Sequence, residues 1–233
     1  AGASGVFGLS LGEEARQRWD EHVEALPLAG LPTAELAALQ ARGRAVEDGL
    51  NGELELGVDP KRFGDDDCVI QARRGSWLYV PITLSGPLDG DAIAEPVVQA
   101  VRTLRRPGRD LRPIPVKVDG KGNGAAAVDA LRRHEACQRG ELRVVDVDVS
   151  EAATNERFAN LRSQHWFGGA GYLAEGGCLP PEHRLTQELL AASYSFDARN
   201  RQRVASKDDM RAQLKRSPNH ADAMLLSCWT APP

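Results

Sequence analysis

PIPVKVDGKGNGAAAVDALRRHEACQRGELRVVDVDV, residues 113–149, decides the class of fold. PIPVKV (113–118) reads as a short β-strand, the glycines of GKGNG turn the chain, residues 124–136 have the texture of a helix, and LRVVDVDV (142–149) is β-rich again. A strand, a helix and a second strand in this order imply parallel pairing through a right-handed crossover. Working outward, AIAEPVVQAVRTLRR (92–106) is a further helical stretch, and LELGV, CVIQARR and SWLYVPITL before it are three short strands separated by GDDD and Gly75. They read as an antiparallel meander. The expected architecture is therefore α/β: a mixed five-stranded sheet in the order 3-2-1-4-5, with helices on both faces.

The flanks complete this outline. Residues 10–26 and 33–48 each open with Ser or Thr with Glu close behind, a helix-start signal, so residues 1–50 are expected to form a helical lead and residues 51–233 the main domain. In the last third the pattern predicts a helix near 156–166, a Gly-rich loop FGGAGYLAEGG, a helix over 181–192, a hairpin in YSFDARNRQRVAS, and helices over 207–215 and 219–229.

Composition narrows the function. The 233 residues carry 29 Lys+Arg against 33 Asp+Glu, a net charge of -4, with 42% hydrophobic and 27% charged residues, which is the balance of an ordinary globular protein. No apolar run is long enough for a membrane helix, and the first residues lack the basic start and apolar stretch of a secretion signal. Cys68, Cys137, Cys178 and Cys228 form no CxxC pair, which argues against a zinc knuckle and for a reducing, cytoplasmic setting. The acidic balance speaks against a protein that coats nucleic acid, but two runs are locally basic: five arginines between 102 and 112, and seven basic residues between 199 and 216.

Three acids stand where chemistry could sit. Asp59 ends the strand LELGVD and Asp119 ends PIPVKVD, and in the proposed order these strands are neighbours. Ligands of open α/β sheets bind beyond the carboxyl ends of the strands. Asp222, in SPNHADAMLLSCW, falls in the first turn of an apolar helix, where an acid also suits the helix dipole. Each acid alone has a plainer reading as well: an Asp-Pro turn for Asp59, an Asx turn or helix cap for Asp119, a dipole match for Asp222. Brought together, three carboxylates need a cation to offset their repulsion, and hard oxygen donors without His or Cys select Mg²⁺ or Mn²⁺.

The order GVDPKRFGDDDCVI, VKVDGKGNGAAAVDAL, NERFANLRSQHW, LAEGGCLPPEHRLTQEL, KDDMRAQLKRSPNHADAMLLS resembles the C-terminal nuclease domain of tailed-phage large terminase subunits, over roughly residues 54–230. The resemblance implies an RNase H-like fold and a two-metal endonuclease that cuts concatemeric double-stranded viral DNA during packaging, in the host-cell cytoplasm. It places the catalytic and metal-binding carboxylates on Asp59, Asp119 and Asp222, holding two Mg²⁺ or Mn²⁺ ions. Supporting roles fall to Asp66, Lys207, His220 and Asn219; Asn219 stands where the family has an acid, so only a neutral oxygen is left there. Once DNA is the suspected substrate, Arg199, Arg201, Arg203, Arg211, Lys215 and Arg216 become the expected backbone-binding surface. The implied partners are a packaging ATPase, the small terminase subunit and the portal. The chain holds no GxxxxGK[ST] phosphate loop, so it reads as the nuclease domain alone, expected to be monomeric. Two other readings stay open: a non-catalytic module docking on DNA or the portal, and a junction resolvase of the same fold.

Overall fold

The computed structural model describes residues 4–6, 9–24, 52–61, 67–122 and 124–230. Its main sheet is built on β2 (Leu54–Asp59), which pairs antiparallel with β3 (Cys68–Arg74) and parallel with β6 (Ile114–Asp119); β6 pairs parallel with β7 (Leu142–Val147). The run SWLYVPITL forms two short strands, β4 (Trp77–Leu78) and β5 (Ile82–Leu84), both antiparallel to β3. Pro81 lacks the N–H that an unbroken ladder would use. The side chain of Gln71 fills part of the gap, its Nε2 donating to Ala72 O and Tyr79 O at 2.9 and 2.7 Å. With that run divided, the order is the expected 3-2-1-4-5.

Alternation along the strands sorts the two faces. Leu54, Leu56 and Val58 of β2, with Ile114, Val116 and Val118 of β6, pack into one core with Ile93, Val97, Val98 and Val101 of α2 (Gly90–Leu104) and Val128 and Leu131 of α3 (Gly124–Arg133). The intervening residues, Glu55, Gly57 and Asp59 on β2 and Pro115, Lys117 and Asp119 on β6, therefore face the other way. That face is covered by the last helix, α8 (Asn219–Cys228), which lies on β2, β3 and β6. Between α3 and β7 runs the single turn α4 (Glu135–Gln138).

A second core joins α8 to α5 (Leu161–Ala174), α6 (His183–Ala191) and α7 (Lys207–Leu214) through Trp166, Leu173, Leu185, Leu189, Met210, Met224 and Leu225. Here the structure corrects two expectations. The helix expected near 156–166 starts at Leu161, where the Asn160 side chain accepts from Ser163 N, and it continues through the glycines to Ala174. Burial of Trp166 and Leu173 outweighs the low helix propensity of glycine. The hairpin appears as β8 (Ser193–Phe196) and β9 (Gln202–Val204), and β1 (Ser4–Gly5) adds to β8 to make a small three-stranded sheet. Of the lead, α1 (Leu9–Glu24) places Ala15 in the second core and stacks Trp19 on Trp77, ring centroids 5.1 Å apart. The helix expected over 33–48 lies outside the described residues. No helix among the described residues is long and apolar enough to cross a membrane.

Candidate metal centre

The parallel register pairs Val58 with Val118, so the next residue on each strand, Asp59 and Asp119, emerges on the same face at the same end of the sheet. Asp222 reaches this point from the first turn of α8. Three features seat that helix. At its start, the wholly buried Glu188 accepts from Ala221 N at 2.9 Å and lies near Arg216 Nε (3.4 Å) and His220 Nδ1 (3.5 Å). In its middle, Gly57 lets the helix backbone lie directly on β2, since a Cβ there would stand 2.1 Å from Ala223 O. At its end, Ser227 O accepts from Arg73 Nε (3.0 Å) and Lys117 Nζ (3.2 Å), while Glu55 bonds to both cations. Cations suit the negative end of a helix, as an acid suits the positive one.

Between the carboxylates stands an ammonium. Lys207 Nζ, from the first turn of α7, lies 2.6 Å from Asp222 Oδ2 and 3.7 Å from Asp59 Oδ1. Asp59 is 1% exposed, and burial pushes its carboxyl up to about 7, against the pull of Lys207 and with the repulsion of Asp222 and Asp119. Burial also raises Asp119, opposed by Lys207 and by the Lys121 N–H, which donates to its Oδ1 at 3.3 Å. Burial works against the charge of Lys207, yet Asp222 and Asp59 hold it protonated well above the usual lysine range.

As the side chains stand, no group of three or more His, Cys, Asp or Glu among the described residues is gathered tightly enough to hold an ion. The donor set nonetheless fits a hard divalent cation. Asp59 Oδ2 is buried without a hydrogen-bond partner, and the place between Asp59 and Asp222 already holds one positive charge. An orphaned carboxylate oxygen of this kind is costly unless something occupies it.

Asp119 and Asp222 line a cleft of about 690 Å³, together with Lys207, Lys121, Arg162 and Arg203, while Asp59 is buried and not in its lining. Other residues singled out in the sequence lie elsewhere. Asp66 is outside the described residues. Asn219 is buried and donates from Nδ2 to Asp67 O at 2.8 Å, tying α8 to the residue just before β3. His220 is buried with Nε2 3.2 Å from Thr83 Oγ1 and does not line the cleft. Of the six basic residues expected to hold DNA, only Arg203 lines it. Arg201 pairs with Asp197 at 2.7 Å and Arg216 reaches Glu188 and Gln187, while Arg199, Arg211 and Lys215 are exposed. Sequence reasoning missed Arg162, Lys121 and Glu188. All three sit inside the quoted motifs; Lys121, two residues after Asp119, was legible from spacing, whereas nothing local marks Arg162 or Glu188 as neighbours of the acids.

Neither a family model nor a curated protein sequence matches the chain. Among solved structures, it superposes on the nuclease domain of the large terminase subunit gp2 of bacterial virus Sf6 with a TM-score of 0.71 and 17% identity, covering 98% of this chain and 100% of that one. A mutant of the Sf6 domain solved with manganese gives a TM-score of 0.66, and one solved with calcium 0.65, each at 16% identity and the same coverage. By its fold, this chain stands with the nuclease domains of phage large terminase subunits.

Proposed function

We propose that the chain is a metal-dependent endonuclease for double-stranded DNA, the part of a large terminase subunit that cuts concatemeric genomes in the host cytoplasm. The observation that carries this is the convergence of Asp59 and Asp222, with Asp119 beside them, on one ammonium at the end of the sheet. The Sf6 domain's manganese and calcium forms support a divalent requirement.

In this reading Asp59, Asp119 and Asp222 hold two Mg²⁺ or Mn²⁺ ions, which when bound activate water and stabilise the leaving oxygen of the phosphodiester. The chain's own part is positioning. α8 and the two strand ends fix the carboxylates, Lys207 offsets their charge until it is displaced, and Arg203 and Lys121 offer cations to the strand in the cleft. The packaging ATPase, small terminase subunit and portal would be partners, and the isolated domain would be monomeric.

Supercoiled plasmid tests this directly. Nicking and linearisation are expected with Mn²⁺ or Mg²⁺, and Asp59→Asn or Asp119→Asn should abolish both while the thermal melt stays cooperative. Plasmid left intact at every divalent concentration, but still bound, would point instead to a docking module. Cleavage undiminished in excess EDTA would refute the metal reading. Four-way junctions cut far faster than linear duplex would make the chain a resolvase.

A further inference from the structure

Arg162, the second residue of α5, is a half-buried guanidinium in the wall of the cleft that holds Asp119 and Asp222. Its charge is permanent, because arginine does not lose its proton in proteins. Burial works against that charge, with only the field of Asp222 offsetting it. Yet its contacts among the described residues are neutral: Nη1 donates to Ala205 O, Nη2 lies 3.2 Å from Met210 Sδ, and the group sits 5.4 Å from the centre of the Trp166 ring. These contacts fix the plane of the guanidinium and engage two of its five N–H donors.

Among the described residues, no acid of the cleft is paired with it: Asp222 pairs with Lys207, and Asp209 is committed to the cap of α7 with Ser206. The other cations of the wall differ: Lys121 has Asp148 at 3.6 Å and is exposed, and Arg203 is exposed on β9. A partly desolvated, rigidly held cation with open donors and no acid paired with it among the described residues suits an anionic ligand. The planar fork suits the oxygens of a phosphate better than those of any neutral group.

We propose that Arg162 is a substrate-contacting residue, its guanidinium receiving a nonbridging phosphate oxygen of the nucleic-acid strand that lies in the cleft. This rests on the endonuclease reading and adds to it the side chain that fixes the strand. Arg162→Met keeps the apolar stem over Trp166 and removes the charge. In EDTA, where no cutting occurs, the variant is expected to bind a short DNA duplex roughly tenfold to a hundredfold more weakly than wild type. The salt dependence of binding should become shallower by about one phosphate contact, a slope change of about 0.9. Arg162→Lys should recover part of the loss.

A duplex series with single methylphosphonate linkages supplies the decisive readout. One neutral linkage should weaken wild-type binding and leave Arg162→Met unaffected, which a structural role alone would not produce. If the variant does not fold, the wild-type series still decides: no linkage whose neutralisation weakens binding overturns the proposal. Equal affinity and salt slope for Arg162→Met and wild type would also overturn it, leaving the endonuclease reading standing if wild type still cuts plasmid. A wild type that neither binds nor cuts DNA would remove that reading itself.

Discussion

Gly57→Ala is a severe change for a single added methyl. The added methyl would lie 2.1 Å from Ala223 O, 2.5 Å from Ser227 N and 2.9 Å from Leu226 Cβ, so its closest neighbours are helix backbone. A carbon and an oxygen in contact rest about 3.4 Å apart, which leaves α8 or β2 to move by more than 1 Å. Neither yields easily: β2 is hydrogen-bonded on both sides, and α8 is held at its ends by Glu188 and by Lys117 with Arg73. Overpacking in a tight core costs about 1–3 kcal/mol, and the rigid neighbours here put this site at or above the upper figure. About 3 kcal/mol lowers Tm by roughly 6–12 °C in a chain of this size. Because α8 carries Asp222, the same displacement should cut DNA cleavage by about a hundredfold even in the folded fraction. Thermal unfolding and a plasmid assay measure the two effects separately. Wild-type Tm together with wild-type cleavage would refute the claim that helix and strand meet backbone to backbone at this glycine.

Three further outcomes follow from the same geometry. Lys207→Ala removes the ammonium between Asp222 and Asp59; without divalent ions the variant should lose about 1–2 kcal/mol near pH 8, a modest figure because the Lys207 side chain is 34% exposed. Added Mn²⁺ should restore its stability at a lower concentration than wild type needs, and identical Mn²⁺ midpoints would count against competition for one place. His165, 4% exposed and tilted against Trp229 with ring centroids 4.8 Å apart, is pushed down to about 4 by burial and by Lys117. Its stabilising contribution is therefore complete above about pH 6.5, the unfolded value, and is lost as the pH falls toward 4, by at most about 3 kcal/mol. Denaturant titrations of wild type and His165→Gln across that window should diverge toward acid, with the variant the flatter. Glu188→Ala strips the Ala221 N–H of its acceptor and leaves Arg216 and His220 facing a void; a loss of about 2–4 kcal/mol is expected, and an unchanged melt would show that the start of α8 is held by something else.

Local sequence carried much of the architecture. The β-rich runs ending in Asp59 and Asp119, separated by an antiparallel meander and a helical stretch, were enough to place the two acids at neighbouring strand ends, because strand period and crossover handedness are short-range rules. Asp222 needed the resemblance as well, since nothing within ten residues of it says which strand its helix covers. The division of SWLYVPITL was legible in Pro81 only once the register with β3 was known. The Gly-rich stretch 167–174 read as a loop because propensity is local, whereas the burial that keeps it helical comes from α6, α7 and α8.

By itself, then, the sequence determined the α/β class, the strand order and, with the motif resemblance for Asp222, the three candidate carboxylates. Only the tertiary structure decided that Lys207 is the cation among them, that His220, Arg201 and Arg216 turn to protein partners, and that Arg162 stands in the wall of the cleft with no acid paired to it among the described residues. The physical reason is range. Backbone propensity and alternation act over a few residues, while a charge takes its role from whichever groups folding brings within a few ångströms, and those lie scores of residues away in sequence.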